Sequence, residues 1–246
     1  MKKAKNINMF HLRIAVFLII FVIFSIRGLA EGHFGIKIGA AASNFYYTAT
    51  HSDPQSGLEI DLSPYLGYDI KWVQFAPQKA LLTPYISIYY DKRLADKFSL
   101  RPEISFVRKG LSFSQHKYER IIYNVEISYL EFPLSVVYKL YQGKRAVSEI
   151  YFGGYGAVKV DAVKKVAYHD SSIEIIKLNS VNQFDWGIHL GAGYKRKIHK
   201  KTLIFDIRFF LGFVDIFSLP DRESQKYSTT QKTKITGAYL TLGYEI

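Results

Sequence analysis

No cysteine occurs in the 246-residue sequence. A disulfide framework is therefore excluded, and an exported chain of this kind must be held together by backbone hydrogen bonds and packing. Long apolar runs are scarce as well. Beyond the first thirty residues no stretch approaches the roughly 20 residues that a membrane-spanning helix requires. The seven histidines are scattered without the paired spacing of a zinc or iron site. The glycines fall at strand spacing and build no phosphate-binding loop. No cofactor is expected. Acidic residues are outnumbered, 21 against 33 basic, for a formal net charge of +12.

The N-terminus stands apart from the rest. Lys2, Lys3 and Lys5 precede an apolar run from Ile14 to Ile26, and Gly28, Leu29 and Ala30 follow with small residues at the two positions a signal peptidase reads. The run is about thirteen residues, shorter than the roughly 17–25 of an uncleaved anchor. Residues 1–30 are predicted to be a cleavable signal peptide and residues 31–246 the mature domain. Removing 1–30 takes away five basic residues and no acidic ones, leaving +7. An exported chain rarely meets nucleic acid, so anionic lipid head groups are the expected use of that surplus.

What the sequence does have is aromatics, 16% of residues with 19 Tyr and 18 Phe, dispersed through period-two segments. Phe34, Ile36, Ile38, Ala40 and Ala42 alternate with Gly35, Lys37, Gly39, Ala41 and Ser43. Ile86, Ile88 and Tyr90 alternate with Tyr85, Ser87, Tyr89 and Asp91. Six more such segments lie near 98–106, 130–139, 150–160, 184–194, 203–213 and 237–246. Strict alternation argues strands with one apolar and one polar face. The fold expected is all-β: an antiparallel up-and-down transmembrane barrel of eight strands. Segment 58–75 is read as a hairpin above the membrane, with a ten-stranded barrel as the alternative. A soluble sandwich or lipocalin-like barrel also alternates, but the second face here holds mostly Gly, Ala, Ser and Tyr, which suits a crowded interior.

Connections alternate in length. Segments 95–97, 142–148 and 198–201 are short, whereas 46–80, 114–122, 162–183 and 217–233 are long and polar. Short periplasmic turns and long outer loops are the layout of outer-membrane barrels. In that orientation Tyr90, Tyr138, Tyr194 and Tyr244 fall near the lower ends of the descending strands, and Phe34 and Phe98 open two ascending ones. Together they predict an aromatic girdle at the periplasmic head-group level.

Several segments resemble the PorT-like outer-membrane β-barrel family of Bacteroidetes. FGIKIGAAASNF (34–45) resembles its opening strand, and LADKFSLRPEISFVRKG (94–110) its second turn and third strand. YLEFPL (129–134) resembles its most recognisable motif and FDWGIHLGAGY (184–194) its sixth strand. The order is right across nearly the whole mature chain, although the sequence ends in Ile246 where the family usually ends in an aromatic. The resemblance implies a Gram-negative outer-membrane location, and the family includes a component linked to type IX secretion.

The polar faces place Lys37, Arg101, Glu103, Glu131, Lys139, Asp185, His189, Asp206 and Arg208 in the lumen. Charge on the lipid face would cost roughly 2–4 kcal/mol near the midplane, and charge inside a narrow barrel must pair. Glu131 with Arg101 and Asp206 with Arg208 are the expected pairs, forming an internal plug or else an ion path. Asp185 and His189 share one face but lie roughly 13 Å apart along a strand, so no catalytic dyad is expected and the chain is not read as an enzyme. The HDSS run at 169–172 reads as a turn. Lys144, Arg145, Lys195, Arg196, Lys197, Lys200 and Lys201 fall at two periplasmic turns, where they would attract inner-leaflet phosphates or an acidic periplasmic partner. GAYLTLGYEI (237–246) resembles the terminal signal read by the barrel-assembly machinery. The function expected is a monomeric barrel with a structural, binding or interaction role through its outer loops, toward a protein or surface ligand. A porin-like channel for ions or small solutes is the first alternative, and a lipid-modifying or proteolytic barrel the last.

Overall fold

The computed structural model describes residues 32–48, 79–115, 121–167, 172–199, 201–217 and 232–245. The expected signal peptide and segment 58–75 lie outside the described residues. Among the described residues alternation becomes nine strands: β1 (Gly32–Thr48), β2 (Lys79–Arg93), β3 (Phe98–Gln115), β4 (Ile121–Gln142), β5 (Ala146–Ala167), β6 (Ile173–Lys177), β7 (Phe184–Ile198), β8 (Lys201–Gly212) and β9 (Lys232–Glu245). All but β6 form a closed antiparallel barrel of eight strands, with β9 returning to pair with β1. Following the register from Gly32 through Lys92, Leu100, Val136, Phe152, Leu190, Phe209 and Ala238 returns to β1 at Ala42, ten positions above the start. For eight strands such a stagger means a tilt of about 40° and an interior just wide enough for side chains.

The apolar face points outward. Ile36, Ile38, Ile86, Ile88, Phe152, Leu190, Phe205 and Leu242 are each about half exposed, while their polar neighbours are buried. The lipocalin-like alternative needs the reverse and is overturned. On β7 the outward residues run from Phe184 to Tyr194. Ten positions correspond to about 33 Å of strand and about 25 Å of height at this tilt, the apolar band of an outer-membrane barrel. At its lower edge Phe34 packs on Tyr90 with ring centroids 4.7 Å apart, and Phe98 on Tyr138 at 5.1 Å. At its upper edge Glu126 takes Arg108 at 3.0 Å and Lys165 at 2.8 Å on the outer surface of β3, β4 and β5. Paired charge there marks where lipid-facing surface ends.

Inside, the small residues have a specific use. Tyr89 lies across Gly35 and Tyr151 across Gly191, where an added Cβ would come within 2.3 Å of the ring. Pro84, which has no N–H to donate, coincides with a register shift between β2 and β3. There the Ser43 hydroxyl of β1 reaches past β2 to accept the Gly110 N–H of β3 at 2.8 Å.

One wall of the barrel is taller than expected. Segment 162–183 was expected as an irregular loop, but β5 continues to Ala167 and β6 adds to its upper end, Ile173–Lys177 against Val163–Ala167. A bulge accounts for the difference. Tyr129 faces Lys159 and Ser128 faces Asp161, leaving Val160 unpaired, so the inward phase shifts from Ala157 to Ala162, Lys164 and Val166. Lys159, which strict alternation from Tyr151 through Tyr155 would put on the inner face, is half-exposed and donates to the Val181 carbonyl at 2.5 Å. From Tyr138 to Ile121, β4 climbs seventeen positions, about 40 Å of height, which is about 15 Å beyond the apolar band.

Leu190→Arg, near the middle of the band, is expected to cost about 2–4 kcal/mol. Equilibrium urea unfolding in phospholipid vesicles measures it, and a cost below that range would mean Leu190 does not face hydrocarbon.

Candidate functional site

Inward side chains fill the lumen in three tiers. In the lowest, near the short turns, Arg101 bridges Asp91 at 2.5 Å and Glu149 at 2.7 Å. Lys195 joins Asp91 at 2.9 Å, Glu245 at 2.6 Å and Glu149 at 3.7 Å, and the Tyr89 hydroxyl donates to Glu245 at 2.9 Å. In the middle tier Glu103 receives Lys37 at 2.9 Å, Arg208 at 2.7 Å and the Tyr85 hydroxyl. Asp206 accepts the Tyr151 hydroxyl at 2.8 Å and lies 3.9 Å from Lys37. In the upper tier Lys109 pairs with Glu131 and stands 3.8 Å from Asp185. The Tyr155 hydroxyl donates to Asp185 at 3.0 Å and that of Tyr239 to Glu131 at 3.1 Å.

Tyrosine faces link the tiers. Arg101 lies over Tyr89 and Tyr151, Arg208 over Tyr151 and Tyr239, and Lys109 over Tyr155 and Phe210 at 4.3 and 4.2 Å. Each stack adds about 1–2 kcal/mol where water is excluded. Above the tiers an apolar cluster that includes Phe45, Leu111, Val125, Ile127, Phe210, Ile216, Phe217 and Ile235 closes the lumen. An open depression of about 700 Å³ at the opposite mouth is lined by Arg93, Lys139, Lys144, Arg145 and Lys197 with Asp91 and Glu245 at its floor.

Eight of the nine residues expected in the lumen are buried there; Lys139 is not among them. It is the last inward position of β4, just below the Tyr138 girdle, and stays half-exposed at the mouth because its register partner Glu149 turns to Arg101 and Lys195. Lys195 is the converse. Expected as a turn charge, it points inward two positions beyond Gly193 and anchors the lowest tier. The expected pairs are both corrected. Ser105 is the register partner of Glu131, which leaves Arg101 four positions, about 13 Å, further down β3. Asp206 and Arg208 stand side by side on β8, and the long arginine crosses the lumen to Glu103 instead.

Lys109, Asp91, Glu149 and Glu245 also belong to the tiers and were missed. Their signal was present: Asp91 and Glu245 already stand in the inward phase of their segments, and Lys109 and Glu149 continue that phase just beyond segments 98–106 and 150–160. The girdle residues lie on the outer face as pairs or neighbours, with Tyr194 facing Phe205 and Tyr244 facing Leu203; Tyr90 is nearly buried between Phe34 and Gly32. His189 meets Ser135 at 2.8 Å, and Asp185 is engaged by Tyr155. Both His189 and Ser135 are fully buried, so this imidazole–hydroxyl contact has no substrate access. Among the described residues no group of three or more His, Asp or Glu could hold a metal ion.

Residues 33–218 match the family described as outer membrane protein beta-barrel domain. The chain belongs to that family. Among solved structures it is similar to Ail, the attachment invasion locus protein of Yersinia pestis, at 12% identity, covering 88% of this chain and 99% of that one with a TM-score of 0.38. It is also similar to the Neisserial surface protein A, at 12% identity over 87% and 96% of the two chains with a TM-score of 0.40. The outer membrane protein OprG from Pseudomonas aeruginosa is similar at 15% identity over 88% and 96%, TM-score 0.38. None of the curated proteins matches the chain.

Seven carboxylates share five cations in these tiers, so removing a cation and removing an anion are not equivalent. Lys109→Met strands Glu131 and Asp185 together and is expected to cost roughly 3–5 kcal/mol. Asp185→Asn leaves Lys109 its nearer partner and is expected to cost about 1 kcal/mol or less. Urea titration of both variants, followed by tryptophan fluorescence, gives the ranking; equal costs would remove the shared-cation account.

Proposed function

We propose that this protein is a monomeric, non-conducting outer-membrane scaffold that binds a partner at the cell surface through its raised β3–β6 wall and the outer loops. The observation that carries the reading is the filled lumen: three tiers of paired charges lie across the barrel and an apolar cluster covers them. Ions entering such a path would have to break contacts that each hold a desolvated charge. The closed register leaves no strand edge within the band to recruit a second copy. The wall supports the binding role, because it carries ordered strand about 15 Å beyond the lipid, and rigid elements with loops at their ends are where such scaffolds place recognition. The finer placement among PorT-like barrels rests on the resemblance of segments 34–45, 94–110, 129–134 and 184–194.

Folded protein in planar bilayers is expected to give no stable unitary conductance. The double variant Arg101→Ala and Arg208→Ala removes one cation from each of two tiers but leaves Lys109, its partners and the apolar cluster in place, and is expected to stay silent as well. Discrete current steps from the unaltered protein would replace the scaffold with the channel.

A further inference from the structure

The basic residues at the short-turn end divide into two sets. Lys195 is consumed by carboxylates inside, whereas Lys144, Arg145, Arg196 and Lys197 form no ion pair among the described residues and all are exposed. The two turns that carry them are joined, since the Lys197 N–H donates to the Arg145 carbonyl at 2.8 Å. Arg196 shares the outward phase of Tyr194 and Ile198, with Leu203 as its partner on β8 and Ala146 on β5. An arginine on the lipid side of a barrel, just below the girdle and without an acidic neighbour, needs an anion from elsewhere.

Its surroundings supply the shape. Lys144, Arg145, Arg196, Lys197 and His199 rim a depression of about 860 Å³ whose other walls are Tyr194, Ile198, Leu203 and Phe205. Those apolar residues are 39–51% exposed and continue directly into the apolar band. Among the described residues no carboxylate lines the depression. Cations at one end and hydrocarbon-facing surface at the other match one kind of molecule, an amphiphile with an anionic head and acyl chains lying along the barrel.

We propose that this depression is a binding site for one anionic phospholipid of the periplasmic leaflet. The phosphodiester is held by Arg196 and Arg145, with Lys144 and Lys197 flanking it, and the acyl chains run upward over Leu203 and Phe205. A soluble phosphate would use the cations but not the apolar wall. An acidic periplasmic protein would meet these side chains only from below, whereas Arg196 faces outward into the lipid. The site is separate from the surface-binding reading above and does not depend on it.

Native mass spectrometry of the folded protein, released from detergent containing equal phosphatidylglycerol and phosphatidylcholine, tests the site. The unaltered protein is expected to retain one phosphatidylglycerol with roughly tenfold preference. Arg145→Gln with Arg196→Gln is expected to abolish that preference, while Lys97→Gln, on the opposite short turn, leaves it intact. Glycerol 3-phosphate, the head group without chains, is expected not to compete. A photoactivatable phosphatidylglycerol on the unaltered protein is expected to label residues 194–205, which needs no variant to fold. Equal retention of both lipids, loss of preference in Lys97→Gln, competition by glycerol 3-phosphate, or labelling elsewhere would each overturn the proposal.

Discussion

Strand β9 bonds to β1 along fourteen register pairs, from Gly35 with Glu245 to Thr48 with Lys232, and the other properties of the molecule follow from that closure. In hydrocarbon each unpaired backbone N–H or C=O costs several kcal/mol, so a sheet that crosses the membrane has to meet itself. Meeting at eight strands with a stagger of ten fixes the bore. A bore that narrow has no room for solvent around a charge. Every ionisable group pointing inward must therefore find an opposite charge or a hydroxyl on a strand across the lumen. The tiers of Arg101, Arg208 and Lys109 are the solution this sequence carries, with tyrosine rings as spacers and Gly35 and Gly191 making space for the rings to lie flat.

Much of this was legible because closure ties sequence to geometry one residue at a time. Parity along a strand decides inside from outside, so Ile88 and Ser87, or Leu190 and His189, could be assigned without knowing their neighbours. Partnership was not legible for the same reason. Which charges meet depends on the stagger accumulated across several strands, a property of no single segment. Glu131 and Arg101 sit on adjacent strands yet four positions apart in register, whereas Lys37 and Arg208 converge on Glu103 from β1 and β8. The bulge at Val160 hid the height of β5 for a related reason. One extra residue reverses the phase, so a reader following alternation sees a strand ending where it has only changed step.

Lys139 and Lys195 show how sharp the boundary between solvated and buried is. Both are inward positions close to the short turns, on strands that flank β5. Both line the same mouth, yet one is paired and the other is left to water. Lys195 lies under three carboxylates and is drawn into the lowest tier. Lys139 stands at the open mouth, where the nearby Glu149 is already held by two cations and an exposed ammonium gains little from a further pair. Residue type cannot distinguish them; the carboxylates within reach do.

The two rims of the apolar band handle charge in opposite ways, and this gives the barrel a direction independent of loop length. At the upper rim Arg108 and Lys165 share Glu126 on the outer wall, so most of the charge there is offset within the surface itself. At the lower rim Arg145, Arg196 and Lys197 have no acidic partners among the described residues, and the girdle aromatics lie immediately above them. An arginine held at the edge of hydrocarbon is tolerated when its side chain reaches the head groups, and it is stabilised when those head groups are anionic. The barrel thus carries its internal charges in a closed account, its upper charges in local pairs, and its lower cations open toward the leaflet that can complete them.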